Sequence, residues 1–393
     1  VELYEKCAQF TAARKALKEG YYPYFIPLTD TEGTEVTIDG RRLIMIGSNN
    51  YLGLTMHPKV REAAIAALRQ YGPSCTGSRF LNGSLKLHLQ LEEELADFVG
   101  KEAALVFSTG YQTNVGTISA LVGRDDVVIT DKEDHASIVD GCRLSYGKML
   151  RFRHGDMQSL KRALAKCEPD QGKLVVVDGI FSMGGDIAPL PEIIPLCKKY
   201  KARLMVDDAH SVGVLGENGR GTASYFGVTD DVDLIMGTFS KSFASLGGFI
   251  AGDELAIHYI QHHARSLIFS ASMPPACVAA CLAALEIMRA EPERPQRLLA
   301  LADRMRQGYQ GLGYNTGDSE TPIIPIILGD DMPTFMMWRA LLDAGVYTNA
   351  VIPPAVPPSK SLLRTSYMAT HTEEQMDRVL SLFEQVGKKV GVI

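Results

Sequence analysis

The seven cysteines of this 393-residue chain form no CxxC pair, and their scatter (Cys7, Cys75, Cys142, Cys167, Cys197, Cys277, Cys281) outlines neither a disulfide framework nor a zinc site. That usage suggests a reducing cytoplasm. Basic residues are not in excess: 40 Lys and Arg stand against 46 Asp and Glu, a formal net charge of −6. The balance excludes a broad nucleic-acid footprint, which needs clustered cations, while leaving room for a local basic patch. The opening residues, Val1-Glu-Leu-Tyr-Glu5, lack a basic-then-apolar pattern, so no export signal is expected there. The most tempting membrane stretch, Ala271 to Met288, contains Pro274, Pro275 and Glu286 and reads as a buried helix instead. Contact with a membrane surface stays open. There is no GxGxxG, no Walker A lysine motif, no internal repeat and no low-complexity tract, which removes support for dinucleotide or triphosphate binding and for a solenoid.

What is present is the texture of a folded α/β protein, with 46% hydrophobic and 22% charged residues. Short β-branched runs alternate with helical periodicity. Candidate strands are Ala103–Phe107, Val127–Thr130, Leu174–Asp178, Arg203–Asp207, Asp233–Thr238 and Gly248–Ala251. Between them lie helices such as Leu85–Val99, whose Leu87, Leu91, Leu95 and Phe98 form one stripe before Gly100 stops it. This alternation predicts a mostly parallel sheet covered by helices on both faces. After Glu291-Pro-Glu-Arg-Pro295 the pattern changes to helix (Gln296 to Gly311), strand (Pro322 to Leu328), helix (Met332 to Ala344) and strand (Val346 to Asn349). The expected organisation is therefore an N-terminal segment 1–45 packing with a small C-terminal α+β domain 291–393, and a large domain 46–290. Ile352-Pro-Pro-Ala-Val-Pro-Pro358 reads as a stiff, extended loop next to the site.

Parallel sheets place ligands beyond the carboxyl ends of their strands. Here polar residues gather at those ends: Ser108-Thr-Gly-Tyr111, Asp134-His135, Gly179-Ile-Phe-Ser182, Asp207 to His210, and Thr238 to Lys241. Lys241 sits among hydroxyls and glycines in Gly237-Thr-Phe-Ser-Lys241, 34 residues after Asp207. A lysine so placed can close a Schiff base on pyridoxal 5'-phosphate, and a buried aspartate can keep the pyridine nitrogen protonated. Gly110 and Tyr111 open a helix, so their N–H groups either face a phosphate or simply follow an N-cap. His210 reads as a partner for the cofactor's phenolic oxygen or as a structural histidine, and His135 as a ring-stacking imidazole or the same. Asp208 better fits a cap of the next helix. His258, His262 and His263 read as a solvated helix face, since no matched carboxylate or cysteine accompanies them.

Taken together, these segments resemble the α-oxoamine synthases, fold-type-I pyridoxal phosphate enzymes that join an amino acid to an acyl-CoA with loss of carbon dioxide. The resemblance runs from Ser48-Asn-Asn-Tyr-Leu-Gly-Leu54 to Arg364-Thr-Ser-Tyr-Met-Ala369 and includes Gly77-Ser-Arg-Phe-Leu-Asn-Gly83, Asp134-His-Ala-Ser-Ile138 and Asp178-Gly-Ile-Phe-Ser-Met-Gly-Gly-Asp186. It implies Lys241 as Schiff-base lysine and proton shuttle, Asp207 on the pyridine nitrogen, His210 on the ring hydroxyl, and His135 stacked on the ring and orienting the substrate carboxylate. Gly110, Tyr111, Thr238 and Ser240 would hold the phosphate, with Ser270 or Ala271 of a second subunit closing over it. Ser182 would lie near the cofactor, and Asn50 and Arg364 would touch the amino acid. Members are homodimers. Some carry an arginine just before the proline-rich loop where this chain has Ile352, which leaves Arg364 to clamp the carboxylate. Ser240, where glycine-using members tend to have glycine, points to L-serine with a long-chain acyl-CoA (palmitoyl-CoA). The alternatives are a sister enzyme using glycine or alanine, an aminotransferase, and a non-catalytic scaffold subunit.

Overall fold

The computed structural model describes residues 2–393. Its largest sheet has seven strands: β1 (Ala103–Phe107), β2 (Val127–Asp131), β3 (Lys148–Phe152), β4 (Lys173–Asp178), β5 (Arg203–Asp207), β6 (Leu234–Thr238) and β7 (Gly248–Gly252). Their spatial order is β1-β7-β6-β5-β4-β2-β3. Neighbours pair in parallel except β7, which is antiparallel to both β1 and β6. The exception follows from the connection. Residues 239–247 are too few for a crossover helix, so the chain turns straight back from β6 into β7. Lys241 lies in that turn.

The run Leu174-Val-Val-Val177 is buried throughout and feeds two different cores. Val175 and Val177 pack in one hydrophobic cluster, Leu174 and Val176 in the other. That alternation is what a strand with both faces covered must do. Helix Lys86–Val99 buries Leu91, Leu95 and Phe98, and Gly100 ends it at φ 73°. It is tied to β1 by a buried ion pair: Arg79 Nη1 lies 2.7 Å from Glu92 Oε1, which also accepts the Val106 N–H at 2.8 Å. Removing one member of such a pair costs about 3–5 kcal/mol, because the other charge stays buried. The pair steadies β1, and the loop at its end is part of the site.

A separate core joins Ile44, Ile46 and Tyr51 to Leu298, Met337, Trp338 and Phe383. Two small sheets border it, one of them three-stranded with Ser361–Ser366 in the centre. The expected single strand at 346–349 is in fact two. Val346–Tyr347 pairs in parallel with Ile44 and Met45, while Asn349–Val351 pairs antiparallel with Leu362 to Arg364. Between them Thr348 turns its hydroxyl to the Arg364 carbonyl at 3.1 Å, where the chain changes sheets.

Strand β3 escaped the sequence reading because Lys148-Met-Leu-Arg-Phe152 is an edge strand with polar positions, without the apolar run used to find the others. The proline-rich loop is not extended. Ala355 N–H bonds the Ile352 carbonyl at 3.0 Å and Lys360 N–H bonds that of Pro357 at 3.1 Å, so it folds into two turns. Proline fixes φ but leaves ψ free to make them. The loop faces Lys132, Asp134, Phe181 and Met183 across an open cleft.

Candidate active site

Five strand ends meet around a cavity of about 260 Å³. Nine of the expected site residues line it: Gly110, Tyr111, His135, Ser182, Asp207, His210, Thr238, Ser240 and Lys241. Each arrives there because its strand stops at that edge and the next element starts from it.

One end of the cavity is built for an anion. Helix Gly110–Leu121 begins there, and the N–H groups of its first residues have no carbonyl to pair with inside the helix. Thr109 caps it by accepting the Gln112 N–H at 3.1 Å. Thr238 Oγ1 and Ser240 Oγ sit 3.0 Å apart, adding two hydroxyls. A Cβ on Gly110 would fall 2.7 Å from Thr238 Oγ1, so only glycine lets helix and hydroxyl share this cradle.

Asp207 lies at the other end, buried at the tip of β5. Its Oδ1 accepts the Ala209 N–H at 3.0 Å and its Oδ2 accepts Asn114 Nδ2 at 2.6 Å. Among the described residues no cationic side chain forms an ion pair with it, so a buried carboxylate faces the cavity with room for a cationic guest. Asp208 points elsewhere and accepts the Thr222 N–H at 2.9 Å where a short helix starts, with burial pushing its pKa up to about 7.

Lys241 enters from the β6–β7 turn. Burial pulls its pKa down to about 8; Asp207 and Asp178 oppose that shift, and Arg364 adds to it. An amine at that value is a ready nucleophile near neutral pH. His210 is buried with Nδ1 2.6 Å from the Tyr51 hydroxyl, and burial with the charges of Lys241 and Arg364 holds its pKa well below the usual histidine value. His135 is lowered too, by burial first and Lys241 next, against Asp207. Both shifts favour the neutral imidazole.

Four expected residues stand back from the cavity. Arg364 is buried and donates from Nε to the Ser182 carbonyl at 2.6 Å, directly behind the wall. Asn50 donates to Thr55 Oγ1 at 2.8 Å and adjoins Tyr51, the partner of His210. Ser270 accepts Gln112 Nε2 at 3.2 Å, and the Ala271 carbonyl accepts the Ser108 hydroxyl at 2.5 Å, both beside the helix start.

These residues suit pyridoxal phosphate: an anion cradle, a buried carboxylate for a protonated ring nitrogen, and a lysine of depressed pKa lining the same cavity. The family model described as aminotransferase class I and II matches residues 41–383. The chain belongs to that family. It is 50% identical over 391 residues to a serine palmitoyltransferase of Sphingobacterium spiritivorum, spanning 100% of this chain and 98% of the relative. A high-resolution structure of SPT with bound PLP superposes with a TM-score of 0.97 at 38% identity, covering 100% of both chains. An 8-amino-7-oxononanoate synthase of Geobacter sulfurreducens is 43% identical over 378 residues, 96% of this chain and 97% of the relative. These relatives agree with the α-oxoamine synthase resemblance.

The sequence reading passed over three residues of this site. Asn114 stands one helical turn after Gly110, a spacing that puts both on the same face. Asp178 closes an apolar strand as Asp207 does, and that shared pattern was its signal. Burial first, then the charges of Asp207 and Asp134, push its pKa well above the usual carboxylate range, and its Oδ1 has no hydrogen-bond partner among the described residues. Tyr51 gave no local signal, because its contact with His210 spans 159 positions.

Proposed function

We propose that this chain condenses L-serine with palmitoyl-CoA, releasing coenzyme A and carbon dioxide and leaving 3-ketodihydrosphingosine, with pyridoxal phosphate as cofactor. The observation that carries the reading is 50% identity over the whole chain to an enzyme named for serine and palmitoyl. Bound in the cavity, the cofactor supplies an electron sink for the amino acid's α-carbon.

The chain's residues do the rest. Gly110, Tyr111, Thr238 and Ser240 would hold the phosphate, and Asp207 would keep the ring nitrogen protonated while Asn114 steadies its carboxylate. His210, backed by Tyr51, would meet the ring hydroxyl. His135 would hold the substrate carboxylate so that the α-C–H bond stands across the ring plane, with Arg364, behind Ser182, and Asn50 as further contacts. Lys241 would take the α-proton and return one after carbon dioxide leaves. A pKa of about 8 lets it do both near neutral pH.

We further propose a homodimer, with Ser270 and Ala271 of the partner subunit closing the phosphate cradle. Tyr111 and Leu246 line the cavity yet are 46% and 48% exposed, and Phe269 next to Ser270 is 73% exposed, an apolar rim that a second copy would cover. Among the described residues no helix is long and apolar enough to cross a membrane. Seven free thiols fit a reducing cytoplasm.

Purified protein given palmitoyl-CoA and one amino acid at a time tests the reading. Thiol release with L-serine is expected. Release with glycine or alanine and a different acyl-CoA, but none with serine, would transfer the assignment to a sister synthase of the kind represented by the Geobacter relative. Conversion of the cofactor to its amine form by amino acid alone would indicate an aminotransferase.

A further inference from the structure

His135 touches its surroundings through a chain of hydrogen bonds whose proton order can be worked out. Asn114 Nδ2 lies 2.6 Å from Asp207 Oδ2 and 2.8 Å from Ser137 Oγ. The amide can sit only one way round, because the opposite orientation would aim its carbonyl oxygen at the Asp207 carboxyl oxygen. Both Nδ2 protons are therefore spent, one on Asp207 and one on Ser137. Ser137 Oγ, accepting from Asn114, has its own proton left, and its other neighbour is His135 Nδ1 at 2.7 Å. The Ser137 backbone N–H points at the same nitrogen at 3.3 Å. Two donors converge on Nδ1, so Nδ1 must present a lone pair. The ring of a neutral imidazole then carries its proton on Nε2, which has no protein partner among the described residues and belongs to a residue lining the cavity.

We infer that Ser137, oriented by Asn114, is a positioning residue that locks His135 as the Nε2–H tautomer, so that His135 meets the substrate carboxylate as a hydrogen-bond donor. The inference rests on the proposed role of His135 and adds to it a hydrogen-bond chain anchored on Asp207. Asp207 would have two tasks in this arrangement: to meet the cofactor's ring nitrogen, and through Asn114 and Ser137 to set which nitrogen of the His135 imidazole is protonated. With the other tautomer, His135 would turn a lone pair toward a carboxylate oxygen, and the contact would be repulsive. Asn114 and Ser137, the two linking residues, are each about 1% exposed, which keeps water from supplying substitute partners to them.

The test uses full-length holoenzyme labelled with 15N-histidine, and long-range 1H–15N correlation spectra that distinguish the two neutral tautomers. Wild-type His135 should show a single Nε2–H form. In Ser137→Ala the Nδ1–H form should become populated and serine affinity, read from the cofactor spectrum before any acyl-CoA is added, should fall roughly three- to tenfold, the range of one hydrogen bond. Ser137→Thr, which keeps the hydroxyl, should restore both. A wild-type ring protonated at Nδ1 would overturn the inference. So would a Ser137→Ala protein that keeps the wild-type tautomer or binds serine as tightly as wild type. If the alanine variant does not fold, Ser137→Cys, with a weaker donor of similar size, is read the same way. A failure to use palmitoyl-CoA would sink the proposed reaction without touching either readout.

Discussion

Arg364 donates from Nε to the backbone oxygen of Ser182 at 2.6 Å, which joins the middle strand of the three-stranded sheet to the loop walling the cavity. Its guanidinium is buried, and among the described residues it forms no ion pair. A buried cation of this kind calls for an anion, and the substrate carboxylate is the one the reaction brings. Arg364→Lys keeps the charge but loses the planar fork that serves Ser182 and a carboxylate together. Steady-state kinetics should show the KM for serine rising about tenfold or more, with a smaller change in kcat. An unchanged KM would remove Arg364 from substrate binding.

Asp207→Asn should leave the fold intact, because Oδ1 can still accept from Ala209. It removes the charge proposed to hold a proton on the ring nitrogen, and kcat should fall by about 10²–10³, the scale of lost electrostatic stabilisation at a reacting centre. The substituted amide also faces Asn114 Nδ2, so a modest drop in thermal midpoint should accompany the loss. Activity within about twofold of wild type would contradict the role.

Lys241 has its pKa pulled down to about 8 by burial. The free amine, and not the ammonium, attacks an aldehyde. In protein stripped of cofactor, the rate of capturing added pyridoxal phosphate should therefore rise with pH and level off above about 8. Stopped-flow absorbance at a series of pH values measures it. A rate still climbing steeply at the ordinary lysine value would show that burial does not depress this amine.

His154 lies outside the cavity and bridges the end of β2 to the segment after β4, with Nδ1 3.1 Å from Asp131 and Nε2 3.0 Å from Asp186. Burial lowers its pKa, but hydrogen bonds to and the charges of Asp131 and Asp186 outweigh that and raise it to about 10. A histidine raised in the folded state stabilises fully below its unfolded value of about 6.5, and that contribution is lost as pH climbs through about 10. His154→Asn should accordingly lower the thermal midpoint most below about pH 6.5, with the gap to wild type closing above about pH 10. A gap constant across that range would mean the bridge is not an ion pair.

Much of this was legible in the sequence, and the boundary has a physical cause. Strands such as Lys173–Asp178 announce themselves because burial on both faces leaves an unbroken apolar run, and the polar residues at their ends mark the cavity edge. The edge strand Lys148–Phe152 has no such run, since one side faces solvent. Lys241, Asp207, His135 and His210 stand at strand ends and were found by position. Tyr51 and Arg364 reach the site from other cores, through contacts spanning 159 and 182 positions, so no local pattern points to Tyr51 and only the family resemblance pointed to Arg364. The proline-rich loop was read as extended from φ alone, and hydrogen bonds that depend on ψ folded it into turns.

The most direct measurement follows carboxyl-labelled L-serine and coenzyme A together in a purified reaction. Labelled carbon dioxide should appear only when palmitoyl-CoA is present, in step with free thiol, and Lys241→Ala should release neither. Labelled carbon dioxide without acyl-CoA, or thiol release without labelled carbon dioxide, would contradict decarboxylative condensation as the reaction of this site.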